Sequence, residues 1–370
     1  MNSAGSSSNS SSMQNVLPFV GMVIAILGQV SDLEVLKAAM SNGFNKYMIV
    51  VYVQAFSIPI FLVWSLIIHR SERPPLTFST LSKIFLLAVF GCLCKLFTYV
   101  GIELSSPTLS TAMLNLVPAF AFILAIIFRM EKLNWRSRSS QAKFLGTLVS
   151  IAGAFVVTFY QGPPLILKTL GTVFLFHDPL LSSKSNWIIG GFFLGCAAFS
   201  IAAWYILQAI ILKKFPAIII ILFFKNFFGA ILAALFSLFV VRDPSAWKLR
   251  LDKGLAAILY STIVGSVIQV SLSTWCLSRT GPLYVSMFKP LGIVFSVVMD
   301  FLFLAESTLC LGSLIGAIII VVGFYSVMWG KMKEKRIFEH NTVVSSRRSY
   351  DEKVPLLQKE IQEIHIRPSE

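Results

Sequence analysis

The sequence predicts an all-α polytopic membrane protein with ten transmembrane helices. Of its 370 residues, 56% are hydrophobic and only 13% are charged, and the mean hydropathy is +0.78. A soluble domain with this composition would expose too much apolar surface to water. Ten stretches also match the length of about 20 apolar residues that a helix needs to cross a bilayer. They are residues 16–39, 46–68, 83–103, 107–128, 142–161, 187–212, 216–240, 254–277, 282–304 and 308–330.

Internal similarity divides these helices into two halves of five. Three spacings recur in the same order: Pro107 to Glu131 with Pro282 to Glu306, Gly146 to Gly153 with Gly316 to Gly323, and Gly91 to Lys95 with Gly265 to Gln269. We therefore expect a disordered cytosolic segment at 1–15, a first half at 16–161, a connecting loop at 162–186, a second half at 187–330 and a tail at 331–370. An odd number of helices per half inverts the second half, which is typical of transporters whose solute site lies near the membrane midplane.

The distribution of positive charge predicts which side of the membrane each loop occupies. With the N-terminus inside, the cytosolic loops and the start of the tail carry 15 Lys and Arg residues, whereas the outside loops carry seven. Cytosolic loops of membrane proteins are enriched in these residues. We therefore expect both termini in the cytosol, and we interpret the net charge of +14 as a signal of orientation and not of nucleic-acid binding.

Residues that build catalytic or metal centres are not grouped in the sequence. All five cysteines lie inside predicted spans, all four histidines lie outside them, and neither HExxH nor paired aspartates occur. The phosphate-binding motif GxxxxGK[ST] is also missing, which argues against ATP-driven pumping. We therefore expect no enzyme activity, no cofactor and no metal.

Four polar residues lie deep in the predicted spans, where a charged side chain costs roughly 2.5–3.5 kcal/mol. Lys95 and Asn115 lie in the third and fourth helices, and Gln269 and Lys289 lie in their counterparts, the eighth and ninth. We interpret the four as the wall of one central solute path. Alternatively, Lys289 extends to the cytosolic interface, and the two amides join helices through hydrogen bonds.

Two prolines and a tryptophan extend this set of candidates. Pro118 and Pro290 lie inside the fourth and ninth predicted helices, where each frees a carbonyl that protein or water must satisfy. A kink beside a cavity meets that condition, and simple shape-fitting explains it equally well. Trp275 in the eighth helix could stack on a planar substrate, although aromatic residues also collect at membrane interfaces.

Acidic residues in the outer half of the first helix are candidates for ion coupling. Asp32 and Glu34 both lie there. Glu34 stands three residues before Lys37 on one helix face, so an ion pair is the simpler interpretation. Asp32 could instead be a protonatable coupling group. Asp300, near the outer end of the ninth helix, is interpreted as a helix-end residue that reaches water.

Two long stretches resemble a known family. TLSTAMLNLVPAFAFILAIIFRMEKL followed by QAKFLGTLVSIAGA resembles the first EamA repeat of the plant walls-are-thin-related, nodulin-like transporters. GPLYVSMFKPLGIVFSVVMDFLFLAE followed by LGSLIGAIIIVVGFYSVMWGK resembles the second. The resemblance implies the drug/metabolite transporter superfamily, also known in plants as usually-multiple-acids-move-in-and-out transporters. It further implies ten helices, two inverted EamA repeats, and transport of amino acids or, in some members, auxin.

The resemblance also bears on particular residues. Lys289 and Pro290 fall on the FKP motif of the family, and Asn115 and Pro118 fall on its NLxPAF motif. It implies that the third, fourth, eighth and ninth helices line the cavity. Lys95 departs from the family pattern, because many relatives have an acid–amide pair at this point of the third helix.

The tail at 331–370 is polar and lacks helical periodicity, so we expect it to be disordered in the cytosol. Glu352, Leu356 and Leu357 have the spacing of an acidic dileucine signal, E-x-x-x-L-L, which sorting adaptors read. Such a signal hints at the vacuolar membrane, and the plasma membrane is the alternative.

These features together predict a secondary transporter of amino acids or related small organic acids that works by alternating access. Lys95 and Lys289 would attract the carboxylate of the solute. An auxin (indole carboxylate) transporter of the same fold is one alternative, and a non-transporting membrane scaffold or receptor is an alternative of another class. The expected partners are the solute, the lipid bilayer and a sorting adaptor. Small-residue faces of the fifth and tenth helices could pack within or between protomers, which leaves the oligomeric state open.

Overall fold

A computed structural model gives the three-dimensional structure of the chain. It describes residues 4–41, 44–68, 76–104, 110, 113–131, 137–160, 164–166, 184–241, 247, 253–303 and 309–353. Within residues 4–15 and 335–353 it describes the backbone alone.

The described chain is almost entirely helical. Its helices are α1 (Ala4–Ser41), α2 (Lys46–Ile68), α3 (Phe78–Leu104), α4 (Val117–Ile127), α5 (Arg138–Phe159), α6 (Lys184–Lys214), α7 (Ile218–Val240), α8 (Lys253–Tyr260), a π-helical segment (Ser261–Ile268), α9 (Gln269–Thr280), α10 (Pro282–Phe303) and α11 (Leu311–Lys353). A small antiparallel sheet pairs β1 (Pro164–Ile166) in the predicted connecting loop with β2 (Leu309–Cys310) just before α11. Apart from this short sheet, the described elements are helices, as the all-α prediction expects.

The prediction of a multi-pass membrane protein is confirmed in outline. Every predicted span overlaps a described helix, and seven helical stretches are long and apolar enough to cross a bilayer. Two shorter apolar helices, Val117–Ile127 and Pro282–Phe295, lie in the fourth and ninth predicted spans. The finer prediction of ten spans in two inverted halves therefore remains a proposal.

Helix continues into both segments that were expected to be disordered. Helix α1 begins at Ala4, where serine-rich sequence precedes the first span, and serine costs less than about 0.7 kcal/mol per residue in a helix. Helix α11 runs past residue 331 to Lys353. The first turn of this extension is stabilised by ion pairs with the first half of the chain. Lys331 pairs with Glu131, and Glu334 pairs with Lys143.

Close contact between α5 and α11 joins the two halves of the chain. A methyl group added at Gly146 would lie 2.7 Å from the Gly323 carbonyl oxygen, and one added at Gly153 would lie 2.7 Å from the Ile320 amide nitrogen. Glycine is therefore required for this approach of the two backbones. The small-residue faces predicted on these helices thus pack within one chain.

The largest buried apolar cluster lies at one end of the bundle, the end that holds residues 16–28 of α1. Its members come from eight helices and include Met22, Leu87, Phe122, Leu212, Phe288 and Phe324. Towards the opposite end, the described residues form a smaller cluster of Ala39, Ile49 and Ala257. Packing is therefore concentrated in the half of the bundle that the charge distribution predicts to be cytosolic.

Candidate solute-binding site

Lys95 lies past the middle of α3 and projects between helices. Its charge acts on Asp32 in α1 and on Lys225 in α7, so the side chain faces the inside of the bundle. The residue is nevertheless exposed. An inward-facing side chain that keeps its exposure lies in an accessible space between the helices, where water can hydrate the ammonium.

Lys289 reaches from α10 to α1. Its Nζ donates a hydrogen bond of 2.9 Å to Oε1 of Gln29, and the residue is half-buried. Gln29 lies near the middle of the first predicted span. In the structure the ammonium therefore points across an interface between helices and does not extend to the cytosolic surface.

Asp32 lies one helical turn beyond Gln29 and packs against the π-helical segment. A methyl group at Gly265 would lie only 2.3 Å from Oδ2 of Asp32, so glycine leaves the space that the carboxylate occupies. The other oxygen, Oδ1, is buried without a hydrogen-bond partner among the described residues. π-Helical turns are rare and often occur at functional sites.

Gln269 and Glu34 make fewer identified contacts with the other candidate residues than Lys289 and Asp32 do. Gln269 is half-buried, and its Nε2 donates a long hydrogen bond of 3.4 Å to Ser273 Oγ one turn further along α9. Glu34 is half-buried on α1. The side chains of Lys37 and Asp300 lie outside the described residues, so the interpretations that depend on them stay predictions.

The fourth predicted helix is broken, which corrects the position expected for Pro118. Residues 115–116 form a turn, and α4 begins at Val117 with Leu116 as its N-cap and Pro118 in its first turn. Proline is favoured there because the first amides of a helix have no intrahelical acceptor. Pro118 therefore starts a helix and does not kink one. Asn115 lies in the break; it is 4% exposed, and its Nδ2 has no partner among the described residues.

Pro290 is found where it was predicted, inside α10. It cannot donate to the carbonyl of Ser286, and the residue itself is buried beside the solute-path candidate Lys289.

Trp275 of α9 packs against α1 and not beside Lys95 or Lys289. Its ring packs on α1 near Gly21, where an added methyl group would lie 3.6 Å from Cζ3. The Phe288 ring of α10 packs among aromatic side chains, with centroid distances of 4.8 Å to Phe324 and 5.9 Å to Phe19. Trp204 of α6 lies beside another lysine, Lys225 of α7.

Sequence reasoning missed Lys225, the third intramembrane lysine of the site. It lies in α7 with Nζ 5.9 Å from the centroid of the Trp204 ring. The cost of a charge in lipid, which singled out Lys95 and Lys289, applies equally to this lysine inside the run IIIILFFKNFFGAILAALF. The following residue, Asn226, is 1% exposed, and both polar atoms of its amide are unpaired among the described residues.

Comparison with known proteins identifies the family. The profile of the EamA-like transporter family matches the chain twice, over residues 34–159 and 188–329. The chain belongs to this family. Three WAT1-related proteins of Arabidopsis thaliana are 42%, 40% and 40% identical to it over 88%, 91% and 87% of its length, and those alignments cover 88%, 92% and 90% of the relatives. The resemblance to the plant walls-are-thin-related, nodulin-like EamA transporters is thereby confirmed.

A solved structure is similar to the fold of this EamA-like protein. It is described as the crystal structure of a protein, and it superposes on this chain with a TM-score of 0.61 at 14% sequence identity. The superposition covers 83% of this chain and 98% of the chain in the solved structure. At this identity the similarity shows the fold alone. Membership of the EamA-like family agrees with a multi-pass membrane protein that acts in transport, with a small-molecule solute and the lipid bilayer as its partners.

The two EamA matches divide the lysines of the site between them. Lys95 lies in the first match, whereas Lys225 and Lys289 lie in the second. Asp32 precedes the first match by two residues. The candidate site therefore combines residues of both EamA matches with residues of α1 that precede the first match.

A second charged cluster in this EamA-like protein is fully paired. Lys143 Nζ lies 2.8 Å from Glu131 Oε2 and 2.6 Å from Glu334 Oε2, and Lys331 also pairs with Glu131. Burial alone would raise the pKa of the Glu131 carboxyl, but Lys331 and Lys143 outweigh it and hold the pKa below its usual value. This cluster ties the end of α4 to α5 and α11, so we assign it a structural role.

No three His, Cys, Asp or Glu side chains among the described residues are grouped so that they could hold a metal ion.

Proposed function

We propose that this protein is a secondary transporter that moves amino acids or related small organic acids by alternating access. The observation that carries the proposal is the arrangement of Lys95 and Lys289, which come from different EamA matches and point between helices with no carboxylate bound to either ammonium among the described residues. An ammonium in an accessible intramembrane space attracts the carboxylate of a solute. Lysine offers a point charge, which suits loose selectivity among carboxylates.

The packing of the helices supports two structurally equivalent repeats. When α1 to α5 are paired in order with α6, α7, α8–α9, α10 and α11, contacts in one half have counterparts in the other. The contact of α3 with α6 corresponds to the contact of α9 with α1. The contact of α4 with α6 corresponds to the contact of α10 with α1. The paired elements α2 with α7, α4 with α10 and α5 with α11 also contact each other. Five helices per repeat make the second repeat inverted, and exchange between the repeats then gives alternating access.

The uneven distribution of the core supports a particular state of this cycle. The large cluster closes the half predicted to be cytosolic, and the described residues of the other half form a small cluster. We infer a state that is closed on the cytosolic side and open on the opposite side, with Lys95 reached from the open side. The other state requires that contacts such as Phe19 with Phe288 separate.

Coupling and location remain part of the proposal. Asp32, with one unpaired buried oxygen, is the proposed coupling group. Both termini are proposed to lie in the cytosol, in the plasma or vacuolar membrane. Of the proposed sorting signal, the backbone of Glu352 belongs to α11, whereas Leu356 and Leu357 lie outside the described residues.

One observation favours auxin transport as a second candidate. Trp204 presents an indole ring beside Lys225, and an indole carboxylate could stack on it while its carboxylate meets a lysine.

Uptake by purified protein in liposomes tests the proposed function. A panel of labelled amino acids, organic acids and indole-3-acetate is offered with and without a pH gradient, and unlabelled solute is then loaded inside. A transporter that alternates access gives uptake that internal solute accelerates, and dependence on the gradient would identify proton coupling. Absence of flux for every panel member, with correctly folded protein, would contradict the proposal.

A further inference from the structure

Lys225 is a half-buried cation that the sequence-based site does not include. It lies in the apolar helix α7, and among the described residues its ammonium has no hydrogen-bond or ion-pair partner. Its Nζ lies over the Trp204 ring, 5.9 Å from the ring centroid. A cation–π contact holds the ammonium in position but leaves its charge available.

The charges around Lys225 do not balance. Lys95 is close enough for its charge to act on Lys225, and the same lysine interacts with Asp32. Lys289 and Lys95 both act on Cys94, which places Lys289 in the same region. Lys95, Lys225 and Lys289 thus bring three ammonium groups to this region, and Asp32 is the carboxylate that acts on Lys95, whereas Glu131 and Glu334 belong to the separate ion cluster.

An excess of positive charge in a low-dielectric region is costly unless water or a ligand offsets it. A zwitterionic solute carries no net charge and leaves the excess unchanged. A solute with net negative charge reduces it. A dicarboxylate can meet Lys289 or Lys95 with one carboxylate and Lys225 with the other, and a monocarboxylate can meet one of the three ammonium groups.

We infer that Lys225 is a specificity-determining residue of the proposed site, and that it makes the site select net-anionic carboxylates over zwitterions of the same shape. Acidic amino acids, dicarboxylates and indole carboxylates belong to the favoured class. Trp204 is the positioning residue, because its ring lies beside the Lys225 ammonium. This inference rests on the proposed function, because it assigns a solute class to the same site.

Competition between matched acids and amides tests the inference in proteoliposomes. The labelled panel solute that the wild-type protein transports fastest is competed with glutamate against glutamine, and with indole-3-acetate against indole-3-acetamide. Each pair keeps the shape and changes the net charge. The variants are Lys225→Gln, which removes the charge, Lys225→Arg, which keeps it, and Lys213→Gln as a control at the exposed end of α6.

The wild-type protein is expected to bind each acid about tenfold or more tightly than its amide, as for a hydrogen bond to a charged group. In Lys225→Gln this preference falls towards one, mainly through weaker competition by the acid, whereas Lys225→Arg and Lys213→Gln keep it. Thermal unfolding and direct binding of the labelled solute confirm that each variant is folded.

Three results overturn the inference, and they are distinguishable. A wild-type protein that transports solutes but binds acid and amide equally has no anion selectivity. An acid preference that survives in Lys225→Gln assigns the selectivity to other residues. Lack of flux for all solutes in folded wild-type protein contradicts the proposed function itself, and the inference falls with it.

Discussion

The ammonium of Lys289 in α10 donates a 2.9 Å hydrogen bond to the side-chain carbonyl of Gln29 in α1. This contact crosses from one half of the chain to the other, 260 residues apart in sequence. Gln29 neutralises no charge, so it orients the lysine and leaves its positive charge for a solute. A carboxylate in place of Gln29 would have formed an ion pair and reduced that attraction.

Lys289→Gln separates the charge of this residue from its hydrogen bond. Glutamine can still pair with Gln29, so the fold and the detergent-solubilised melting temperature are expected to stay close to wild type. The apparent affinity for a carboxylate solute is expected to fall about tenfold or more, because a charge-assisted interaction is lost. Concentration dependence of uptake measures this, and an unchanged KM would show that Lys289 does not bind the solute.

Gly265→Ala is expected to impair transport through Asp32. The added methyl group would lie 2.3 Å from Oδ2 and 2.6 Å from Cγ, so the carboxylate must move. Flux should fall severalfold, and any dependence on a pH gradient should change if Asp32 carries the coupled proton. Gly292→Ala is the control, since its nearest neighbour, Ile26 Cγ2, is at an ordinary 3.6 Å. Equal behaviour of the two variants would argue against a role for Asp32.

Asn115→Leu should separate stability from transport. The buried Nδ2 has no partner among the described residues, so apolar replacement breaks no identified hydrogen bond and should leave the melting temperature unchanged or raised. If the solute accepts a hydrogen bond from Asn115 Nδ2 at the turn before α4, the flux of Asn115→Leu should fall about tenfold. A lower melting temperature with normal flux would instead make Asn115 a structural residue.

Glu131→Gln is expected to destabilise the protein. It leaves Lys143, whose side chain is 1% exposed, without its main counter-charge, and breaking a buried ion pair costs about 3–5 kcal/mol. Glu334→Gln should cost less because its carboxylate is 39% exposed. Differential scanning fluorimetry in detergent compares the two, and a larger loss in Glu334→Gln would contradict the assignment.

The lowered pKa of Glu131 also predicts a pH dependence of stability. A carboxyl whose pKa is depressed in the folded state stabilises the protein above its unfolded pKa, here 4.5, and loses that contribution as the pH falls through the lower folded value. The melting temperatures of wild type and Glu131→Gln should therefore differ most at neutral pH and converge below pH 4.5. A difference that persists in acid would contradict this origin.

The sequence was sufficient for the features that depend on local composition. Apolar length predicted a helix in each of the ten intervals, and the recurring glycine spacings predicted the surfaces at which α5 and α11 pack. The cost of a charge in lipid also predicted that Lys95 and Lys289 face inwards, because only an interior or aqueous position offsets that cost.

Features that depend on tertiary contact were not predictable in the same way. No local pattern shows that Gln29 is the partner of Lys289, because the two residues meet only after α1 packs on α10. Pro118 is compatible with either a kink or a helix start, and the turn at 115–116 decides between them. Lys225 differs, since the rule applied to the other two lysines would have identified it.

Solute counterflow in proteoliposomes most directly tests whether inward-facing lysines from both repeats bind a transported carboxylate. Wild type is compared with Lys95→Ala and Lys289→Ala, and with Lys213→Ala as an exposed lysine control. We predict rapid exchange of a labelled carboxylate solute in wild type and Lys213→Ala, and loss of about tenfold or more in each of the other two variants. Exchange that is unchanged in Lys95→Ala and Lys289→Ala would contradict the lysine-lined solute path.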